Sequence, residues 1–167
     1  MAFTTIPAAG AKLRASVLSA LVTEVRPITA RKTANETLNA VAVAQNDDEL
    51  FVSVDASCVY RLETRLSFVS GITPDLKINW TYPVGTTIRW AGTDDDLAGA
   101  VRITGNLIET AIPAIGGSGT DLTAFYTGVV ITGVNAGTLQ LQWAQNTSNA
   151  SNTIIYAGSY LSLTRIA

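Results

Sequence analysis

Residues 58–69 read CVYRLETRLSFV and alternate between two kinds of side chain. The mostly apolar phase comprises Tyr60, Leu62, Thr64, Leu66 and Phe68, and the other phase comprises Val59, Arg61, Glu63 and Arg65. Successive side chains of an extended strand point to opposite faces, so a period of two predicts a strand with one face buried and the other in solvent. The stretch therefore predicts a half-buried strand of a β-sheet.

A second alternating stretch, LQLQWAQNTSN, covers residues 139–149. One phase holds Leu139, Leu141 and Trp143, and the other holds Gln140, Gln142 and Ala144. An uncharged amide both donates and accepts hydrogen bonds and costs less to desolvate than a carboxylate. The pattern therefore predicts a strand that contacts another protein. The predicted oligomer interface consists of Leu139, Leu141, Trp143, Tyr160 and Leu161.

Strand-like segments continue through residues 38–167, separated by the turn sequences PVG, GTDDD, GGSG and NAG. The predicted strands are 38–44, 50–54, 58–69, 75–83, 86–92, 100–112, 121–133, 137–148, 152–158 and 159–167. Residues 45–49, QNDDE, are predicted to form a charged turn between the first two strands. About ten short strands without a second helix indicate an all-β fold. We expect a jelly-roll-like β-sandwich, preceded by an N-terminal arm and one short helix.

The helix candidate is AKLRASVLSALVTEVR, residues 11–26, which Pro27 ends. Its apolar side chains recur at spacings of three and four and therefore form one stripe. A helix of about 15 residues is marginal alone in water, so the stripe must pack on a partner or on the body. We expect residues 1–37 to be a docking segment and residues 38–167 to be the sandwich domain. The predicted docking residues are Phe3, Ile6, Leu13, Arg14, Val17, Leu18, Leu21, Val22, Val25 and Arg26.

The composition is poor in charge, with 14% charged and 47% hydrophobic residues among 167. An ordinary soluble domain has roughly 25% charged residues, so we expect protein contacts to cover part of this surface. The sequence contains no apolar run of roughly 18 residues that could cross a bilayer, and it lacks a secretory signal pattern. We expect no membrane partner. Residues 1–37 carry a net charge of +3 and residues 38–167 carry −5, a balance too weakly basic to predict a nucleic-acid partner.

Histidine is absent, and the single cysteine is Cys58. The absence of histidine removes the commonest general base, the commonest metal ligand and the Ser-His and Cys-His nucleophile pairs. Cys58 lies in an apolar run and is predicted to be a buried core residue. We expect no catalytic residues and no cofactor, and the chain is predicted not to be an enzyme.

Two acidic runs, residues 47–49 and Asp94–Asp96, could offer oxygen ligands to a Ca²⁺ ion. Three consecutive side chains do not easily face one ion, and no EF-hand pattern surrounds either run. Both are therefore predicted to be solvated loops, and no metal site is predicted. Trp80, Trp90 and Trp143 could stack on sugar rings, but packing in the core or between subunits is commoner and is expected here.

Three segments carry a resemblance to a known family. They are MAFTT at the start with a helix that ends in VRP, then ARKTANETLNAVAVAQNDDELFVSVDASCVYRLETRL (30–66), and GTLQLQWAQNTSNASNTIIYAGSYLSLTRI (137–166). The chain resembles a family of minor structural proteins, decoration or tail proteins, of tailed bacteriophages that infect actinobacteria. The resemblance implies a virion component and brings no catalytic residues. The closing AGSYLSL is also similar to the trimeric jelly rolls of the tumour necrosis factor and C1q type, which implies a homotrimer.

The resulting hypothesis is a non-enzymatic bacteriophage structural protein, a trimeric capsid decoration (cementing) protein anchored by its N-terminal arm. It would be made in the cytoplasm of the bacterial host and located in the virion. Its partners would be further copies of itself and another virion protein, such as the major capsid protein or a tail protein.

Two alternatives stay open. A tail or fibre component that binds a host-surface glycan predicts an exposed groove with tryptophans on the loops. A glycan-cleaving enzyme would need two carboxylates about 5 to 10 Å apart in a cleft. The candidates for that pair are Asp94–Asp96 with Glu109 or Asp121.

Overall fold

The computed structural model describes residues 14–95, 101–106, 112–115 and 117–167. These residues contain one helix, α1 (Ala15–Val25), followed by twelve strands. The strands are β1 Ile28–Arg31, β2 Glu36–Leu38, β3 Gln45–Val54, β4 Val59–Val69, β5 Leu76–Thr81, β6 Thr87–Asp95, β7 Val101–Asn106, β8 Ile112–Ile115, β9 Asp121–Ile131, β10 Gly137–Gln145, β11 Thr153–Ile155 and β12 Tyr160–Arg165.

The strands form two antiparallel sheets that pack face to face. The smaller sheet has the order β3-β10-β5-β8, and the larger has the order β1-β12-β4-β9-β6-β7, with β11 and β2 added beside β4. From β3 to β10 the chain crosses between the sheets at every connection except the β6–β7 hairpin. This is the winding of a jelly roll, so the predicted all-β sandwich is confirmed.

Strand β4 lies at the centre of the larger sheet, between β12 and β9. Its register with β9 runs without interruption from Val59 opposite Ile131 to Val69 opposite Asp121. The alternate side chains that point toward the smaller sheet are buried, while the intervening ones are exposed or half-buried. The half-buried strand predicted for residues 58–69 is confirmed.

The three tryptophans occupy the core between the sheets and are buried. Trp80 and Trp90 meet edge to face with ring centroids 6.0 Å apart, and Trp90 meets Tyr126 at 5.6 Å. Gly92 lies under the Tyr126 ring, and a Cβ there would come within 2.4 Å of a ring carbon. The predicted core position of Cys58 is confirmed, and of the two positions expected for the tryptophans, core or subunit contact, all three take the core.

Three predictions for the first half of the chain are wrong. Residues 45–49, predicted to be a turn and a solvated acidic loop, begin strand β3, and the Asp47 carboxylate is buried. Residues 39–44, predicted to be strand, form a loop between β2 and β3. The alternation pattern did not predict the start of β3, because a buried ion pair, described below, allows the charged segment 45–49 to enter the sheet. Residues 28–37, predicted to be a linker, contribute β1 and β2 to the larger sheet.

Candidate interaction surfaces

A buried cationic group joins the N-terminal segment to the sandwich. Lys32 is 1% exposed, and its Nζ forms ion pairs with Glu36 and, at 2.8 Å, with Asp47. Asp47 Oδ1 also accepts the backbone N–H groups of Glu49 and Leu50, at 2.9 and 2.7 Å. We call Lys32, Glu36 and Asp47 the Lys32 cluster. The ion pairs and hydrogen bonds within the cluster offset the large desolvation cost of burying its charges.

The charges of the Lys32 cluster shift its pKa values. Burial alone would lower the pKa of Lys32, but hydrogen bonds and charges from Asp47 and Glu36 outweigh burial and raise it. Burial raises the pKa of Glu36, only partly offset by its bond to Lys32. The cluster therefore holds its lysine charged across the whole neutral pH range.

Hydrogen bonds extend the Lys32 cluster to the C-terminal segment. The Lys32 backbone N–H donates to the Ser159 carbonyl at 2.8 Å, and the Gly158 N–H donates to the Lys32 carbonyl at 2.9 Å. Glu49 accepts the backbone N–H groups of Thr33 and Ala34, and Thr33 Oγ1 also donates to it. The segment RKT (31–33) thus bonds both to QNDDEL (45–50) and to AGSYL (157–161), which lies more than 100 residues further along the chain.

Helix α1 leaves part of its apolar stripe in solvent. It contacts the sandwich at β12, and Val17 is half-buried, but Leu18 and Val22 are each 51% exposed. Arg14 and Arg26, also predicted to dock, flank the helix and are exposed. The side chains of Leu21 and Val25, and the whole of Phe3, Ile6 and Leu13, lie outside the described residues. Helix α1 is therefore a candidate docking element with free apolar surface.

The predicted oligomer interface on β10 and β12 is wrong for four of its five residues. Four of the five predicted side chains are fully buried in the core of the subunit itself, namely Leu139, Leu141, Trp143 and Leu161. Tyr160 is half-buried on the outer face of the larger sheet.

The side-chain amides of residues 139–149 form hydrogen bonds within the same chain. Gln140 Nε2 donates to the Asp47 carbonyl at 2.9 Å, and Gln142 Nε2 donates to Asn46 Oδ1 at 2.9 Å. Gln145 is buried and donates to the Ser151 carbonyl at 2.7 Å. Strand β10 is a core strand, because both sets of its side chains find partners within the subunit.

The outer face of the larger sheet carries apolar side chains where a soluble monomer would place polar ones. Phe125, Val129 and Ile131 project from β9 at alternate positions and are 51%, 38% and 46% exposed. The register places Arg65 and Arg61 beside them on β4, and Arg89 on β6. We call the outward-facing side chains of residues 59–65, 87–91 and 125–131 the β9 face.

The β9 face contains a depression of about 310 Å³. Phe125, Tyr160 and the carboxylate-bearing Glu63 line it, together with small residues such as Ala91 and Thr127. Glu63 is exposed and pairs with Arg61 at 3.2 Å. The depression offers three aromatic side chains, of Phe125, Tyr126 and Tyr160, and one carboxylate to a bound side chain or small ligand.

One end of the sandwich presents two exposed valines. Val84 and Val134 are 82% and 85% exposed on the β5–β6 and β9–β10 loops. Asn135 Nδ2 donates to the Val84 carbonyl at 3.1 Å, and Ser57 N–H donates to the Gly133 carbonyl at 2.7 Å. These bonds hold the loops against each other. Strand β1 enters the larger sheet from the same end, which places the α1–β1 junction there.

The acidic residues singled out for chemistry are only partly described. Asp121 begins β9 and accepts a hydrogen bond from the Tyr156 hydroxyl at 2.7 Å, which raises the pKa of Tyr156. Asp94 and Asp95 belong to β6 rather than to a loop, and Asp96 and Glu109 lie outside the described residues. Within the described part of the chain, no group of three or more Cys, Asp or Glu side chains could hold a metal ion. No helix there is long and apolar enough to span a membrane.

Comparisons with known proteins concern the fold. No protein-family model and no curated protein matches the chain. Among solved structures, the tripod (BppUct-A-L) from the baseplate of bacteriophage Tuc2009 is 12% identical over 96% of this chain and 73% of that chain, with a TM-score of 0.36. The structure of infectious bursal disease virus, Gt strain, is 11% identical over 85% of this chain and 38% of that chain, with a TM-score of 0.23. At TM-scores below 0.5, the likeness bears on no function of this chain.

Proposed function

We propose that this chain is a non-enzymatic structural protein of a bacteriophage virion, a capsid decoration protein that docks through residues 1–26 and self-associates as a homotrimer. In this role the protein strengthens the particle by tying its subunits together. Each docked copy adds buried area between shell subunits, and linked arms bind with avidity, because the second and third bind intramolecularly.

The exposed stripe of α1 is the observation that carries this proposal. Leu18 and Val22 stay half in solvent although the sandwich has a complete core of its own. A short helix with an open apolar face is stabilised by packing on a partner rather than by its own propensity.

The Lys32 cluster supports the mechanical side of the proposal. The chain runs from α1 through Pro27 into β1, and Lys32 follows directly on β1. Lys32 is tied to β3 through Asp47 and to the start of β12 through Ser159. Force on a docked arm would therefore pass into both sheets rather than peel a loose terminus away.

A tail or fibre protein that binds a glycan is the alternative, and the groove of exposed tryptophans that it predicts is absent from the described residues. All three tryptophans are buried. The decoration role is therefore preferred.

The double variant Leu18→Ser/Val22→Ser tests the docking role. We expect it to remain folded and to lose incorporation into particles, because the apolar contact of α1 with the shell is removed. Quantitative mass spectrometry of purified particles, assembled with each variant supplied in trans, measures the copies incorporated.

The matched control is Val43→Ser, which removes an aliphatic side chain that is 80% exposed on the body. It should be incorporated like the wild type. Undiminished incorporation of Leu18→Ser/Val22→Ser, or of a variant lacking residues 1–26, would contradict docking by the arm. Imaging of labelled particles would then show whether the protein sits on the head or the tail.

A further inference from the structure

The β9 face has the make-up of a protein interface. Its apolar ridge runs along β9 from Phe125 to Ile131, which is about 20 Å of strand. Strand β9 is a central strand, paired with β4 and β6, so the ridge lies in the middle of a sheet. An exposed apolar ridge, here interrupted by Thr127 and flanked by arginines, is typical of protein–protein contacts, in which aromatic and arginine side chains are enriched.

Charge is divided unevenly between this face and the rest of the body. Residues 38–167 contain six basic and eleven acidic side chains. Three of the basic ones, Arg61, Arg65 and Arg89, lie on the β9 face with one acidic one, Glu63. The face is therefore net +2, whereas the described side chains elsewhere in the body, two basic and six acidic, are net −4.

We propose that the β9 face binds the acidic surface of a second copy of this chain. The inference rests on the proposed self-association and names its surface. If two copies met through the same face, arginines would oppose arginines, because that contact places one net positive patch against another. A head-to-tail contact, with the β9 face of one copy against a different, acidic surface of the next, pairs opposite charges and covers the apolar ridge. Such contacts can close into a ring, as a homotrimer requires.

The depression beside Phe125 is the expected centre of this contact. Concave sites walled by aromatic side chains hold the energetically dominant contacts of interfaces, while surrounding charges set orientation. Phe125 and Tyr160 supply the walls here.

A matched pair of phenylalanines tests the inference. Phe125 and Phe51 are 51% and 48% exposed, Phe125 on β9 of the larger sheet and Phe51 on β3 of the smaller. We expect Phe125→Ser to raise the dissociation constant of the oligomer at least about 10-fold, and Phe51→Ser to leave it unchanged. Size-exclusion chromatography with light scattering over a concentration series measures both. Circular dichroism and thermal melting confirm that each variant is folded.

A charge reversal tests the orientation of the contact. Arg89→Glu should weaken the oligomer at low salt, and the weakening should shrink at high salt, because screening removes the charge term and spares the apolar one.

Four results would overturn the inference. A wild type that is monomeric at every concentration, a Phe125→Ser variant as oligomeric as the wild type, or equal loss with Phe51→Ser would each overturn the inference. A Phe125→Ser variant that keeps the oligomeric mass of the wild type but loses binding to host cell-wall glycan would also overturn it. The face would then be a ligand site. Failure here leaves arm docking standing, because Leu18→Ser/Val22→Ser is read out by incorporation into particles.

Discussion

At the scale of single residues, the Lys32 cluster is the feature on which the N-terminal half depends. Lys32 and Asp47 are 1% and 0% exposed, so neither charge can be rehydrated if its partner is lost. Breaking one member of such a buried pair costs far more than the pair contributes relative to apolar residues. The fold around Lys32 therefore requires all members of the cluster to be present.

Lys32→Met is expected to lower the free energy of unfolding by about 3–5 kcal/mol, because Asp47 and Glu36 would stay buried together without a cation. Urea unfolding followed by tryptophan fluorescence measures the change. The control is Lys77→Met, which loses one half-buried hydrogen bond, from Nζ to the Ala42 carbonyl at 2.7 Å. That loss should cost about 1 kcal/mol. A Lys32→Met variant no less stable than Lys77→Met would show that the cluster does not hold the fold.

The lowered pKa of Glu49 predicts that the free energy of unfolding depends on pH in the acidic range. Hydrogen bonds from the Thr33 side chain and backbone lower the pKa of Glu49 below 4.5. A carboxyl with a lowered folded-state pKa contributes stability that is present above the unfolded value and is lost as pH falls through the folded value. Glu49→Gln should therefore make the fall in unfolding free energy below pH 4.5 shallower.

Denaturant titrations at several pH values between 3 and 6 measure this slope. Thr33→Val, which keeps the carboxylate and removes one donor, should give an intermediate slope. Identical slopes in the wild type and Glu49→Gln would refute the assignment.

At the scale of elements, different interactions stabilise α1 and the sandwich. The sandwich is held by strand ladders and by one continuous core. The helix precedes β1, lies against β12 and has side chains half in solvent. Its removal should therefore leave the ladders and the core intact.

A variant lacking residues 1–26 is expected to melt within a few degrees of the full chain, because β1 begins after Pro27 and keeps its pairing with β12. Differential scanning calorimetry measures the midpoint. A fall of much more than about 10 °C would show that the arm belongs to the core of the domain.

Strand β10 shows why an element predicted correctly can be assigned the wrong role. Alternation in residues 139–145 predicted a strand, and the strand is present as β10. Its interface role failed because the amides that looked free bond to residues distant in sequence, such as Asp47 and Asn46. Conversely, the exposed ridge on β9 was missed, because alternation alone does not distinguish which phase of DLTAFYTGVVI faces the second sheet.

At the scale of the whole molecule, low charge content and uneven charge placement act together. A chain with 14% charged residues has little repulsion between copies, and three of the basic groups of its body lie together on the β9 face. Such a placement favours contacts between unlike surfaces over contacts between like ones. In the proposed assembly, α1 would contact the shell while the β9 face contacts the neighbouring copy.

The amino-acid order by itself determined the fold class, the short helix ended by Pro27, the core position of Cys58 and the half-buried strand at residues 58–69. These features follow from local periodicity and from turn residues, which act over a few neighbours. The tertiary structure alone decided the burial of Lys32 with Asp47, the entry of QNDDE into β3 and the choice of β9 rather than β10 as the strand with an open apolar face. Each of these depends on partners brought together from distant parts of the chain, and no local pattern records which partner a side chain will meet.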